Sequence, residues 1–128
     1  MMRSCKSLLC VVAIAAGWTL AAVAQDLTLP NKATSLRFAI IGDSGTGDSN
    51  QLRVAQRLWA VHSKFPYEFV LMMGDNIYGG ESTRDFEKKF TTPYKPILDA
   101  GIKFYAALGN HDTPNQVFYK QFTMNGER

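Results

Sequence analysis

The chain has 128 residues, 46% of them apolar and 20% charged, which suits one small globular domain and excludes a disordered, collagen-like or coiled-coil chain. The formal charge of +3 is mostly an N-terminal feature: residues 1–24 hold Arg3 and Lys6 and no acid, so the remainder is close to neutral and gives no electrostatic case for nucleic-acid binding. Cys5 and Cys10 lie in that same stretch, so the rest of the chain can form no disulfide and any metal must rest mainly on oxygen.

Residues 1–6 are short and positive, and residues 8–24 are apolar, ending Ala22-Val23-Ala24 before Gln25. That is the pattern of a cleaved secretory signal and predicts a secreted or periplasmic protein. The apolar run is short for a membrane span and carries Gly17 and Thr19, so no stable anchor is expected after cleavage. Residues 25–34 read as an irregular leader and residues 35–128 as the domain. Residues 35–41 are rich in large apolar side chains and predict the first strand. Residues 42–50 hold three glycines and predict a loop, with Asp48 or Ser49 as a helix cap. From 51 to 64, Leu52, Ala55, Leu58, Trp59 and His62 recur at three- and four-residue spacing, the mark of an amphipathic helix on a sheet. His62 reads as a packed residue of that stripe.

Residues 68–73 predict the second strand, and a parallel pairing with the first through the helix makes a βαβ unit. Residues 82–90 predict a helix capped by Ser82 with Asp85 in its first turn, and Arg84, Lys88 and Lys89 read as its solvated face. Pro93 ends it. Residues 96–100 predict a short helical turn closed by Gly101, and residues 103–108 the third strand. Residues 113–122 predict a further helix, and Asn125-Gly126 a turn. The fold class is therefore α/β, with mainly parallel strands, flanking helices and an incomplete sheet, because three strands are few for a parallel sheet. The chain reads as the N-terminal part of a longer protein.

Each predicted strand stops at glycine followed by an oxygen-bearing side chain: Gly42-Asp43-Ser44-Gly45, Gly74-Asp75-Asn76-Ile77-Tyr78 and Gly109-Asn110-His111-Asp112. In a parallel sheet the carboxyl ends of the strands share one edge. Asp43, Asp75, Tyr78, Asn110 and His111 should therefore converge. Alone, an Asp after a strand is most often a turn former and Tyr78 a packed aromatic. Three such turns in one chain point instead to paired cations about 3.5–4 Å apart, the arrangement that grips both oxygens of a phosphoryl transfer. Asp75, on the middle segment, is the natural bridge between ions, with Asp43 on one and Asn110 on the other. His111 can meet a substrate oxygen or donate a proton.

Together these motifs resemble the calcineurin-like metallophosphoesterases, and Gly-Asp-x-Gly with Gly-Asp-x-x-Tyr resembles their purple acid phosphatase branch. The resemblance covers residues 36 to about 128 and implies the N-terminal half of an α/β sandwich. The wider superfamily has a metal-binding His where this chain has Gly45, and Tyr78 makes good the loss. By the same resemblance Asp43 and Tyr78 would hold Fe3+, Asp75 would bridge, and Asn110 would hold Fe2+, Zn2+ or Mn2+. His111 would contact the phosphate ester substrate and assist the leaving group, with Asp112 behind it in the second shell. The family pattern continues with a lone His and a His-x-His, neither of which follows here. The expectation is a site incomplete in these residues, inactive alone, within a longer acid phosphatase-like enzyme.

Three other readings remain. Ser44 of Gly42-Asp43-Ser44 could be the nucleophile of a GDS-type serine esterase, although that class needs a late Asp-x-x-His. The glycine-rich loop opening a helix could bind a nucleotide, but it lacks Gly-Lys-Ser/Thr. The chain could also be a fragment with no activity of its own.

Overall fold

The computed structural model describes residues 32–124. The expected signal sequence, most of the leader and the Asn125-Gly126 turn lie outside the described residues. Three parallel strands, β1 (Phe38–Ile41), β2 (Phe69–Met73) and β3 (Lys103–Ala107), form a sheet in the order β1-β2-β3. The strand carrying Asp75 is thus the central one. The strands are shorter than predicted, since pairing starts only at Phe38 and stops at Ala107.

Helix α1 (Ser49–Lys64) connects β1 to β2, and the Asp48 carboxylate caps it by accepting the N–H groups of Asn50 and Gln51. This satisfies two of the donors that a helix N-terminus leaves open. Its inward stripe is Gln51, Ala55, Leu58 and His62; the expected Leu52 and Trp59 are exposed. Trp59 instead stacks on His62, which lies edge-on to Tyr67 at 4.7 Å. His62 is packed, as its position predicts.

Between β2 and β3, Ser82 and Asp85 form a reciprocal capping box for α2 (Thr83–Phe86). The helix then widens into a π-helical turn, Glu87–Thr91. Helix α3 (Lys95–Asp99) follows, and Gly101, at φ +76, turns the chain into β3. The predicted C-terminal helix is instead two 3-10 turns, Pro114–Phe118 and Lys120–Phe122, separated by an extended Tyr119.

The pleat separates two faces. Ala39, Ile41, Val70, Met72, Phe104 and Ala106 share one face in register, and the core gathers there with Ala55, Phe90, Tyr94, Ile97 and Phe122. The other face bears an aromatic ladder: Phe38 stacks on Phe69, and Phe69 meets Tyr105 edge-on. Ile40 and Met73 on that face are exposed. Helices therefore cover one side of the sheet among the described residues. None of those helices is long and apolar enough to cross a membrane.

Candidate metal centre

Because the strands are parallel and in register, Gly42, Gly74 and Gly109 leave the sheet at the same edge. The three turns then lock together. The Asp43 N–H donates to the Gly74 carbonyl at 3.1 Å. A Cβ on Gly74 would stand 2.9 Å from the Gly109 Cα, and one on Gly109 would overlap the Asp75 carboxylate. Only glycine admits approaches this close.

Asp43 and Asp75 both lie in the left-handed region, at φ +51 and +53. Such backbone is uncommon for any residue but glycine, and Asp and Asn are among the few that tolerate it. It aims both carboxylates at one point. The Tyr78 hydroxyl lies 3.1 Å from Asp43 Oδ1 and 2.9 Å from Asp75 Oδ2. The His111 N–H donates to Asp75 Oδ1 at 3.1 Å, and the His111 and Tyr78 rings lie 5.1 Å apart. Asn110 is exposed between Gly109 and His111, on the same turn. The five residues singled out in the sequence therefore belong to one cluster of turns.

The backbone N–H of His111 holds the Asp75 carboxyl below its ordinary range, and the Tyr78 hydroxyl adds to this against the effect of burial. Burial, then the hydrogen bonds to Asp75 and Asp43, raise the Tyr78 phenol well above its ordinary value. The phenol thus keeps its proton while no cation is near. One hydroxyl proton can give a full hydrogen bond to only one of the two carboxylate oxygens, so the other contact is weak at best. A hard cation among these oxygens would engage both and stabilise the phenolate, so this donor set fits the expected metal. No group of three or more His, Cys, Asp or Glu side chains that could hold a metal occurs among the described residues. The cluster has two carboxylates, and its remaining donors are a phenol, an amide and an imidazole.

Gly45 and Tyr78 are in direct contact. The Tyr78 N–H donates to the Gly45 carbonyl at 3.0 Å, and a Cβ on Gly45 would overlap the Asn76 carbonyl. The segment that brings the phenol in occupies the space a side chain at position 45 would need. In this chain glycine at position 45 and tyrosine at position 78 are thus structurally linked.

Asp112 has a larger part than orienting its neighbour. Its carboxylate accepts from the N–H groups of Asn76, Ile77 and Gly109 and from the Asn76 side-chain amide, at 2.7–3.0 Å, none of them the His111 ring. It ties the turn after β2 to the turn after β3. Asn76, fully buried, also donates to the Ala107 carbonyl at 2.7 Å. In the sequence only its place directly after Asp75 marks Asn76. Lys89, read as solvated, is buried. Ser44 is buried too, and among the described residues its hydroxyl meets no hydrogen-bond partner of the kind that activates a serine nucleophile.

No solved structure matches the chain. Among curated proteins it is similar to purple acid phosphatase 7 of Arabidopsis thaliana, 39% identical over 84 residues, covering 61% of this chain and 25% of that protein. Purple acid phosphatase 3 of the same plant is 37% identical over 95 residues, covering 69% of this chain and 25% of that protein. The chain spans about a quarter of the length of these relatives. The calcineurin-like phosphoesterase family model matches residues 36–127, a span that contains all three turns, and the chain belongs to that family.

Proposed function

We propose that the chain supplies part of a dinuclear metal site that hydrolyses phosphate monoesters. Asp43 and Tyr78 would hold one ion, of the Fe3+ type, Asn110 would hold the second, Fe2+, Zn2+ or Mn2+, and Asp75 would serve both. The ions would supply Lewis acidity and an activated water. Asp75, with one oxygen on Tyr78 and the other on the His111 N–H, keeps a fixed orientation between the two sides of the site. His111, exposed at the rim, meets the ester oxygen and passes a proton to the leaving group. Asp112 keeps the turns after β2 and β3 at a fixed spacing. The observation that carries this reading is the Tyr78 hydroxyl within 3.1 Å of both carboxylates. Further ligands, where the shell needs them, would come from polypeptide outside these residues. The pattern of residues 1–24 supports secretion, which a mature N-terminus at Gln25 would establish.

The test uses p-nitrophenyl phosphate and a protein carrying this sequence on a chain as long as its relatives. Chelator-sensitive turnover that falls by roughly 100-fold or more in Asp75→Asn supports the reading. Turnover that survives both chelation and that substitution overturns it. Residues 25–128 alone should release no p-nitrophenol, and turnover by them would contradict a site completed from outside.

A further inference from the structure

A Lys four residues after an Asp on a helix is ordinarily a solvated pair of small consequence. Lys89 is different. Its side chain is only 10% exposed, and its ammonium donates to Asp85 at 2.8 Å and to the backbone carbonyl of Tyr78 at 2.7 Å. A buried ammonium is costly unless its protons are engaged, so this geometry is held by more than the i,i+4 pair.

Lys89 lies within the π-helical turn Glu87–Thr91 and is buried there beside Phe90. Wide turns of this kind break the phase of a helix and occur often beside functional sites. Lys89 also touches the other half of the centre. Its carbonyl accepts the side-chain amide of Gln51, whose carbonyl oxygen takes the Gly47 N–H at 2.6 Å. A Cβ on Gly47 would come within 2.9 Å of the Lys89 stem. Gly47 belongs to the loop that carries Asp43. One residue thus braces both: its backbone carbonyl, through Gln51, holds the loop that carries Asp43, and its ammonium holds the segment that carries Tyr78.

We propose that Lys89 is a positioning residue that sets the Tyr78 phenol between Asp43 and Asp75. The proposal rests on the reading of those three residues as metal ligands, and it assigns Lys89 no contact with metal or substrate.

The test compares the full 128-residue chain with Lys89→Met in two measurements. The first is amide hydrogen exchange without metal. The Tyr78 N–H should exchange at least roughly tenfold faster in the variant, as loss of a hydrogen bond from a charged donor implies, while the N–H groups of β2 keep their rates. The second is titration with Fe3+ citrate, read by the visible phenolate-to-iron band that Tyr78→Phe removes. Half-saturation should need roughly tenfold more iron in Lys89→Met. Unchanged exchange at Tyr78, or acceleration spread evenly over β2, overturns the proposal. If the unmutated chain shows no Tyr78-dependent band, the metal reading fails, while the exchange comparison still decides the role of Lys89. Should Lys89→Met not fold, the unmutated chain serves. Slowly exchanging Lys89 ammonium protons with scalar coupling to the Tyr78 carbonyl support the proposal, and their absence overturns it.

Discussion

Gly45 and Gly101 are both glycines, yet the structure separates them. Gly101 needs its positive φ and has open space where a Cβ would go, whereas Gly45 faces the Asn76 backbone. Gly101→Ala should cost about 1–2 kcal/mol, the strain of a left-handed alanine. Gly45→Ala should cost about 3 kcal/mol or more, because a backbone carbonyl cannot step aside. Urea denaturation of both variants checks the order. Asp112→Asn should also be destabilising, by about 2–3 kcal/mol, since an amide has one acceptor oxygen for four donors. Faster hydrogen exchange at Asn76, Ile77 and Gly109 would mark the loss. The convergence of Asp43, Asp75, Tyr78 and His111 was legible because each lies within four residues after a glycine that stops an apolar run. Asn76 and Asp112 act by holding those turns together, and hydrogen bonds between residues 36 apart leave no local mark. Lys89 reads as solvated because lysine is seldom buried, and the partner that draws it in, the Tyr78 carbonyl 11 residues earlier, leaves no mark on the helical spacing.

The capping box is the element whose stability should follow pH. Asp85 is held down at about 2, first by the Lys89 ammonium and then by the Ser82 hydroxyl. Its folded value lies below the ordinary 3.8, so its contribution is complete above about pH 4 and is lost as pH falls toward 2. Asp85→Asn should flatten that acid limb in a series of denaturation midpoints against pH. Ser82→Ala should cost about 1 kcal/mol above about pH 4, as loss of a cap does, and less as pH falls toward 2, because the Ser82 hydroxyl also helps hold Asp85 down. Element types were legible wherever a cap or a breaker stood in the sequence: Asp48, Ser82 and Gly101 each act as they read. The segment from Pro114 was not. Its apolar spacing suits a helix, but Tyr119 breaks it to place its hydroxyl on the Glu81 carbonyl, at 3.2 Å, while Phe122 is buried against Phe90.

Across the whole molecule, one face of the sheet holds the core and the other presents Ile40, Met73 and Tyr105 to the surface. A large apolar face of this kind favours association. The chain should bind a hydrophobic dye and self-associate as concentration rises, and Leu36→Lys with Ile40→Lys should reduce both without lowering the unfolding midpoint. Both residues are about 60% exposed, so their apolar contacts add little to the fold. The central claim, that one rim gathers donors for cations, is tested most directly by Mn2+ titration followed through paramagnetic broadening of amide signals. The account predicts that residues 43–45, 75–78 and 110–111 broaden together and first, and that Asp75→Asn weakens the effect. Broadening that begins at Asp48, Asp85 or Asp99, or that spreads evenly along the chain, would contradict it.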